Sequence, residues 1–433
     1  MRKVLIITYY WPPSGGIGVN RCLKFAKYLL KFGWKPVVYT AENADYPYID
    51  EENLKQVPED ITVLKKKIIE PFRFYKFLSG KKKNEAMNNP IHVRDGKRKL
   101  INNLSIWVRG NFFIPDARSL WIKPSVKYLS EYLSKNHVDA ILTDGPPHTN
   151  TVIAQKLSKK FNIPWLADFQ DPWTQVDYYK LLKLTKWADK KHHRLEQETF
   201  KTAKKITIAS PTWKIDLELI GAKNVDVIFW GYDEEDFKPL KQQELDPKFS
   251  IFHAGMLGFD RHPNTLLKVL ADLKNEIAGF ANDLEIKFAG FVDYTVIQTI
   301  EELKLNDNFT NLGTVKRTKA LELTLSAQVL LLLINKAENA QGRIPGKLFE
   351  LMRSHRPILT LGTLNSDVHN IIEKTNTGAY FDYDDYQNIK SFITEKYNLY
   401  KQQKNIVDST IDITEYSVEN QTKKVAGYLN EIT

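Results

Sequence analysis

The chain has 433 residues, of which 42% are hydrophobic and 26% are charged. This length exceeds the size at which one hydrophobic core keeps growing, so it predicts two domains of roughly 200 residues each, and the ordinary composition excludes a disordered or low-complexity protein. The one cysteine, Cys22, allows no intramolecular disulfide, and no Cys/His cluster has the spacing of a zinc site. Both features favour a reducing compartment, which we expect to be the cytoplasm. The sequence contains no run of about 20 apolar residues, so no membrane-spanning helix is predicted.

Strands and helices are predicted to alternate along the first half of the chain. Lys3–Tyr9 is apolar and β-branched, Asn20–Phe32 has helical periodicity and Lys35–Thr40 is a second strand, which together make a βαβ unit. Further strands are predicted at Asp139–Thr143, Trp165–Asp168, Lys205–Ala209 and Val225–Phe229. This alternation indicates a parallel sheet with helices on both faces.

A polar stretch at 238–248, where the apolar periodicity lapses, is the predicted linker. It separates an N-terminal domain at 1–237 from a second α/β series at 249–415, and a last helix within 416–433 is expected to pack back on the first domain. Strands of the second series are predicted at Phe249–Ala254, Glu285–Ala289, Gln328–Ile334 and Pro357–Leu361, and helices at Pro263–Leu273, Lys319–Ser326 and Gly346–Ser354. Two doubly wound domains in tandem predict a cleft between the carboxyl ends of their strands, where such sheets bind ligands.

The formal net charge of +10 is concentrated in one segment, 64–110. Between Lys65 and Arg109 there are thirteen Lys and Arg residues but only three acidic ones, and aromatic residues such as Tyr75 and Trp107 are interspersed with them. This composition suits contact with an anionic membrane surface, although a solvated insertion whose lysines aid solubility fits the same residues. No recognised nucleic-acid-binding motif accompanies the charge, so nucleic acid is not an expected partner.

Candidate ligand-binding residues of the first domain follow its predicted strands. Three glycines precede the first predicted helix, namely Gly15, Gly16 and Gly18. They let backbone N–H groups approach a ligand, or they form a tight turn. His148 and Asp171 follow later strands, where an imidazole and a carboxylate can orient a sugar hydroxyl or assist proton transfer. Alternatively, His148 is a turn residue and Asp171 caps a helix that begins at Pro172.

In the second half, a predicted strand leads into a loop that contains Gly255 and Arg261. Such a loop can wrap a diphosphate, with Arg261 supplying a charge-assisted contact, whereas an arginine in a surface turn is the alternative. Gly290 and Gly313 end two further strands. Both are candidates for the floor on which a nucleobase lies, and Val315 follows Gly313 by two residues.

The densest group of polar residues and glycines is Asn339–Glu350. Its glycine-rich loop opens a helix and can place backbone donors at an anion. Lys347 and Glu350 lie three residues apart and so share one helical face, where the lysine can reach a phosphate and the glutamate can accept bonds from two ribose hydroxyls. An i,i+3 ion pair on a solvated face is the alternative. The predicted donor-binding set is Gly255, Arg261, Val315, Asn339, Gly342, Lys347, Leu348 and Glu350, and the predicted catalytic set is Asp171, His148, Arg261 and Lys347.

Five motifs in this order resemble the family 4 retaining glycosyltransferases of the GT-B fold, and the resemblance covers nearly the whole chain. They are Pro12–Arg21, Ala167–Trp173, Gly231–Phe237, Ala254–Arg261 and Gly342–Glu350. The resemblance implies two Rossmann-like doubly wound domains that face a central cleft, the first binding the acceptor and the second the nucleotide sugar. It places Glu350 on the ribose, and Arg261 and Lys347 near the diphosphate. It also implies retention of anomeric configuration without an obligatory metal.

Three positions depart from the family pattern. Gly342 replaces a glutamate that usually contacts the donor sugar, and Asn339 or Gln341 is the candidate substitute. Met256 replaces the basic residue that often follows the glycine of the donor loop. Gln170 replaces the histidine of a His-Asp pair in the acceptor domain, which leaves Asp171 as the carboxylate of that pair.

The sequence therefore predicts a retaining glycosyltransferase of surface polysaccharide or glycolipid assembly that transfers a hexosyl-type sugar. Its expected substrates are a UDP- or GDP-linked sugar and a glycan or lipid-linked acceptor, with no cofactor and no metal. The segment 64–110 would place the enzyme at the inner face of the cell membrane. Two alternatives remain, a sugar-nucleotide epimerase of similar architecture and a non-catalytic partner of a glycosyltransferase.

Overall fold

The structure is a computed structural model that describes residues 1–70, 96–240, 243–336, 340–402 and 411–433, with backbone but not side chains at 96–103. The chain forms two compact units. Unit 1 comprises Met1–Phe229 together with Val418–Thr433, and unit 2 comprises Trp230–Ser417. The chain thus first crosses between the units at Trp230, ahead of the polar stretch 238–248.

Unit 1 contains a seven-stranded sheet with the strand order β3-β2-β1-β4-β5-β6-β7. Every strand pair in it is parallel. The strands are β1 (Arg2–Ile7), β2 (Trp34–Ala41), β3 (Thr62–Lys66), β4 (Ala140–Gly145), β5 (Trp165–Phe169), β6 (Lys205–Ile208) and β7 (Val225–Val227). The described helices of unit 1 are α1 (Ile17–Leu29), α2 (Gly96–Phe112), α3 (Ile122–Leu133), α4 (Thr149–Phe161), α5 (Lys186–Thr202) and α6 (Pro211–Leu219), which are joined by a C-terminal helix (Val418–Ile432).

Both faces of this sheet are covered by apolar side chains. In β1, Leu5 and Ile7 belong to the core on one face, whereas Val4 and Ile6 belong to the core on the other. Successive side chains of a strand point to opposite faces, so a strand buried on both sides must be apolar at every position. This requirement explains the uninterrupted apolar run near the start of the chain.

The C-terminal helix Val418–Ile432 packs on α1 as part of unit 1. Its apolar face adds Val425 and Leu429 to the second core of that unit. Asn430 also accepts a hydrogen bond from Trp34 Nε1 at 3.1 Å. The helix therefore completes the layer that covers one face of the sheet.

Unit 2 contains a six-stranded parallel sheet with the strand order β10-β9-β8-β11-β12-β13. The strands are β8 (Phe249–Ala254), β9 (Leu284–Ala289), β10 (Phe309–Gly313), β11 (Val329–Leu333), β12 (Ile358–Leu361) and β13 (Gly378–Phe381). The described helices are α7 (Glu234–Phe237), α8 (Asn264–Glu276), α9 (Phe280–Asp283), α10 (Tyr294–Glu302), α11 (Arg317–Ser326), α12 (Lys347–Arg353), α13 (Asp367–Thr375) and α14 (Tyr386–Lys401), and the C-terminal helix of unit 1 is numbered α15. The predicted class of two doubly wound α/β domains is confirmed.

Two edge strands were not predicted, β3 and β13. In β13 only Tyr380 is buried, and in β3 no residue is buried. An edge strand pairs on one side only and packs less tightly, so its residues need not form the apolar run that marks a central strand. The first residues of the basic segment 64–110 thus belong to β3, and its end belongs to α2.

The remainder of that basic segment lies largely outside the described residues, because 71–95 are not described and 96–103 have no described side chains. The prediction of a membrane contact there stays a prediction. Within the described part of the chain, no helix is long and apolar enough to cross a membrane.

Candidate functional site

The carboxyl ends of β8 and β9 approach each other through two glycines. Gly255 and Gly290 have φ angles of 131° and 133°, which L side chains rarely adopt. A Cβ atom on Gly290 would overlap the carbonyl oxygen of Gly255. Both positions therefore require glycine, and their lack of side chains leaves the backbone at this edge of the sheet open to a ligand.

Lys347, the first residue of α12, reaches over this glycine edge. Its Nζ atom donates a hydrogen bond to the Ala254 carbonyl at 2.9 Å, and it would lie 3.0 Å from a Cβ atom on Gly255. Burial, and then the charge of Arg261, lower the pKa of Lys347 to about 7. Lys347 forms no ion pair with a described residue. When this amine is protonated, no described carboxylate is therefore bonded to it.

Arg261 lies in the turn Phe259–Arg261 that follows β8. Its Nε atom is 3.6 Å from the Asp260 carboxylate and is buried without a hydrogen-bond partner among the described residues. Two cationic side chains are thus brought to the same glycine-lined edge of the sheet. The charge of Arg261 contributes to the lowered pKa of Lys347, so an anion placed between the two side chains would relieve their repulsion.

His253, the residue before Ala254, lies fully buried beneath this edge. Its Nδ1 atom lies 2.9 Å from the Leu331 carbonyl, so Nδ1 carries the proton and Nε2 is left as an acceptor. Burial, and then the charge of Lys347, hold the pKa of His253 well below its usual value. Nε2 has no partner among the described residues, which makes it a neutral acceptor directly below the glycine edge.

Glu350, one turn after Lys347, is held by an arginine that the sequence analysis did not select. Its Oε1 atom pairs with Arg317 Nη2, and Arg317 Nη1 donates to Asp236 Oδ2 at 3.1 Å. The alternative of an i,i+3 ion pair between Lys347 and Glu350 is wrong, because Lys347 bonds to the end of β8 instead. Arg317 neutralises and orients the glutamate, whose side chain remains 25% exposed.

The other predicted donor-binding residues have different surroundings. Leu348 is fully buried and packs in the interior of unit 2, and Gly342 is buried at the end of a short helical turn, Ala340–Gly342. Val315 is half-buried in the loop between β10 and α11. Asn339 lies outside the described residues. The described site therefore rests on Gly255, Arg261, Lys347 and Glu350.

In unit 1, the loop with Gly15, Gly16 and Gly18 leads from β1 to α1. Gly15 donates a backbone hydrogen bond to the Tyr48 carbonyl at 2.9 Å, and a Cβ atom on Gly15 would collide with the Tyr48 ring. Gly16 has a φ angle of 81° and begins α1 with no side-chain cap. A tight turn thus explains Gly15 and Gly16, while the uncapped N–H groups of α1 remain at the carboxyl edge of the sheet.

His148 lies at the start of α4, with its ring stacked on Trp173 at a centroid distance of 4.3 Å. Burial, and then the charge of His192, lower the pKa of His148 to about 3. Its Nδ1 atom has no hydrogen-bond partner among the described residues. The imidazole is therefore neutral at physiological pH and is a weak base.

Asp171 lies two residues beyond the end of β5, beside β4, whose loop carries His148. The alternative that Asp171 caps a helix beginning at Pro172 is wrong, since α5 begins only at Lys186. The negative charge of Asp171 contributes to the raised pKa of Tyr178, for which burial is the larger cause. Asp171 and His148 therefore share the carboxyl edge of the unit 1 sheet.

Asp144 at the end of β4 is an ionisable group that the sequence analysis did not select. It is fully buried and accepts hydrogen bonds from Thr8 at 3.1 Å and from Asn150 at 2.9 Å. Burial, and to a lesser extent the charge of Asp168, raise the pKa of Asp144 to about 7. Its position just after a predicted strand and four residues before His148 was visible in the sequence, but its burial was not.

Among the described residues, no group of three or more His, Cys, Asp or Glu side chains could hold a metal ion. The glycine edge of unit 2 is thus lined by cations and a neutral histidine, which suits an anion. The carboxyl edge of unit 1 combines an acid, a neutral histidine and an uncapped helix start.

No protein-family model and no curated protein sequence matches the chain. Solved structures match over its whole length at low sequence identity. The N-terminal domain of trehalose-6-phosphate phosphatase from Candida albicans has a TM-score of 0.61 at 13% identity, with 100% of this chain and 97% of that chain covered. TarM has a TM-score of 0.58 at 12% identity, with 99% of each chain covered, and a variant of S. aureus TarM is solved in complex with fondaparinux, α-GlcNAc-glycerol and UDP. A putative UDP-N-acetylglucosamine 2-epimerase from Listeria monocytogenes has a TM-score of 0.55 at 9% identity, with 99% and 96% covered.

Full-length matches of this kind, together with two parallel α/β units of seven and six strands, decide the fold. The chain has the GT-B fold. At these identities the likeness shows the fold alone, and proteins with different names, TarM and a putative UDP-N-acetylglucosamine 2-epimerase, are among the similar structures. Function on a GT-B scaffold must be argued from the site itself.

Proposed function

We propose that this protein is a retaining glycosyltransferase that uses a nucleotide-diphosphate sugar. The observation that carries the proposal is the pair of cations, Lys347 and Arg261, at the glycine edge of the unit 2 sheet. A diphosphate placed there would meet two positive charges and an open backbone, and its negative charge would raise the pKa of Lys347. The complex of the similarly folded TarM with UDP supports a nucleotide as the ligand.

In the proposed reaction, the bond between the anomeric carbon of the donor and the diphosphate oxygen breaks, and its electron pair stays on the diphosphate. Lys347 and Arg261 stabilise that developing charge, which is usually the largest contribution to such a rate acceleration. The acceptor hydroxyl oxygen forms the new bond to the anomeric carbon on the same face, and its proton passes to the leaving diphosphate oxygen. This route needs no metal.

Glu350 is proposed to bind the ribose hydroxyls, oriented by Arg317. Unit 1 is proposed to bind the acceptor, a glycan or a lipid-linked sugar, with Asp171 and His148 orienting its hydroxyl at the carboxyl edge of the sheet. A role in surface polysaccharide or glycolipid assembly at the inner face of the cell membrane, with UDP or GDP on the donor, completes the proposal.

Substituting Glu350→Ala should weaken the binding of the donor nucleotide tenfold to a hundredfold, because two charge-assisted hydrogen bonds to ribose are lost. Calorimetric titration of the wild-type protein with a panel of UDP- and GDP-sugars identifies the donor, and the same titration of the variant measures the loss. Product analysis with and without an acceptor then distinguishes transfer from epimerisation, which needs no acceptor.

Glu322→Ala is the matched control, since Glu322 also lies in unit 2 and pairs with Lys319 at 3.1 Å on α11. It should leave donor binding unchanged. Equal donor affinity in the wild type and in Glu350→Ala would remove Glu350 from the site, and epimerised donor as the only product would replace the transferase proposal.

Nucleotide binding at about pH 8 should take up nearly one proton per site, because Lys347, with a pKa lowered to about 7, is mostly neutral in the free protein and becomes charged beside a diphosphate. Affinity should consequently fall as pH rises above about 7, by up to tenfold per pH unit. Titrations in two buffers with different ionisation enthalpies measure the uptake. Lys347→Met should take up no proton, and equal uptake by the variant and the wild type would assign the proton to another group.

A further inference from the structure

A lysine-walled groove runs between α3 and α4 on unit 1, and none of the candidate residues described above lines it. The groove is open to solvent and has a volume of about 500 Å³. Its lining residues are Ile122, Lys123, Val126, Lys127, Ser130, Glu131, Lys156 and Lys160. The two helices are neighbours because α3 precedes β4 and α4 follows it.

Four exposed lysines form the two walls, with Lys123 and Lys127 on α3 and Lys156 and Lys160 on α4. Within each pair the residues are four apart, so they stand one above the other on the helix. None of the four forms an ion pair with a described residue. The groove carries one acid, Glu131, which leaves a surplus of positive charge along both sides.

The charges extend along the groove. Both helices cross over between parallel strands and therefore run antiparallel to β4, with their first residues at the carboxyl edge of the sheet. Lys123 is the second residue of α3 and Lys160 is the twelfth residue of α4. On α3 alone, the lining residues run from Ile122 to Glu131, which at 1.5 Å per residue is about 13.5 Å of helix length. A single small anion would contact only part of this array.

The floor between the walls is apolar with one unsatisfied polar atom. Ile122 and Val126 supply the apolar part. Ser130 is 8% exposed, and its Oγ atom is buried without a hydrogen-bond partner among the described residues. A buried hydroxyl usually finds a partner, so its lack of one on the groove floor points to a ligand that supplies it.

We propose that this groove binds an extended anionic glycan, a chain of sugars that carry carboxylate or phosphodiester groups. Its anionic groups pair with the lysine rows, its ring faces pack on Ile122 and Val126, and a hydroxyl bonds to Ser130. A bilayer surface fits less well, because the apolar residues lie recessed in a concave groove rather than projecting from it. If the proposed function holds, this glycan is the distal part of the acceptor; binding of the glycan to the groove does not rest on that function.

The test uses hexagalacturonate, a linear carboxylated hexasaccharide, with maltohexaose as its neutral counterpart. Substituting Lys→Gln at Lys123, Lys127, Lys156 and Lys160 should weaken hexagalacturonate binding at least tenfold, and maltohexaose should not bind measurably. The matched control carries Lys→Gln at Lys190, Lys201, Lys204 and Lys223, which are exposed lysines of unit 1 outside the groove. It should bind hexagalacturonate within twofold of the wild type, and thermal unfolding checks that both variants fold.

Equal losses in the two quadruple variants would show that binding depends only on net charge, and this would overturn the proposal. The absence of hexagalacturonate binding by the wild-type protein would also overturn it. Groove-dependent binding of single-stranded DNA, or of vesicles that contain phosphatidylglycerol, with no binding of hexagalacturonate would assign the groove to another ligand. Should the quadruple variant fail to fold, the Lys123/Lys127 and Lys156/Lys160 pairs are tested separately. Titration with UDP should be unaffected by every groove variant, so this proposal and that of the donor site fail independently.

Discussion

Replacing Lys347 by methionine should lower the rate of sugar transfer by about a thousandfold, or about 4 kcal/mol of transition-state stabilisation. Methionine keeps the length and the apolar stem of the side chain and removes the ammonium group that meets the leaving diphosphate. The effect should fall mainly on kcat rather than on KM, since the diphosphate gains its charge as the bond to the sugar breaks. Steady-state kinetics with the donor found by titration measure the change.

The same variant should be more stable than the wild type in the absence of nucleotide. Burial lowers the pKa of Lys347 from 10.5 in its ordinary state to about 7, so the folded protein binds this proton less tightly than the unfolded chain does. The resulting cost to the wild type is complete below about pH 7 and disappears as the pH rises through 10.5. Lys347→Met should therefore gain on the order of 1 kcal/mol near neutral pH and nothing in strong alkali.

Lys268→Met is the matched control, because Lys268 is an exposed lysine on α8 that forms no ion pair with a described residue. It should leave both the transfer rate and the stability unchanged. A transfer rate for Lys347→Met close to that of the wild type would contradict the role of this lysine, whatever the stability of the variant.

Breaking the buried ion pair of Arg21 and Asp168 should cause the largest loss of stability that we expect for unit 1. Arg21 binds the carboxylate in a bidentate manner, at 2.5 Å from Nε and 2.7 Å from Nη2, and the same Nη2 atom donates to the Ile228 carbonyl at 2.9 Å. Thr207 also donates to Asp168, at 2.6 Å. Asp168→Ala would leave a buried guanidinium without its counter-ion, which should cost about 3–5 kcal/mol.

Chemical denaturation followed by tryptophan fluorescence measures this loss, since four of the largest fully buried side chains of unit 1 are tryptophans. Glu52→Ala provides the comparison, because Glu52 pairs with Lys55 at 2.7 Å on the surface and its loss should cost about 0.5 kcal/mol or less. The double variant Arg21→Met with Asp168→Leu should lose less than Asp168→Ala alone, since no buried charge remains. A loss for Asp168→Ala no larger than for Glu52→Ala would show that the pair is not structural.

This pair also changes the interpretation of two of the motifs that carry the family resemblance. Arg21 belongs to the glycine-loop motif and Asp168 to the motif around Asp171. The structure joins them across the sheet, where they tie α1 to β5 and to the end of β7. Part of the resemblance in unit 1 thus reflects a buried ion pair of the fold, whereas Asp171 and His148 remain the candidates for chemistry at the strand ends.

Central strands were predictable from the sequence because each is buried on both faces and therefore reads as an apolar run. β8 was predicted at its observed bounds, Phe249–Ala254. The pairing of Lys347 with the end of β8 was in part predictable too, since a lysine at the start of a helix and a glycine at a strand end both lie at the carboxyl edge of a parallel sheet. Local sequence thus determined the central strands and the edge of each sheet at which the candidate residues lie.

Only the tertiary structure decided which side chains meet there. Arg317 and Glu350 are 33 residues apart, and no local pattern indicates that they pair. The lysine groove likewise depends on two helices that flank the same strand, and the pKa values of Lys347 and Asp144 depend on burial by segments distant in sequence. Periodicity reports the face of an element that is buried, but charge pairing and desolvation are set by contacts between elements, which exist only once the sheets have formed.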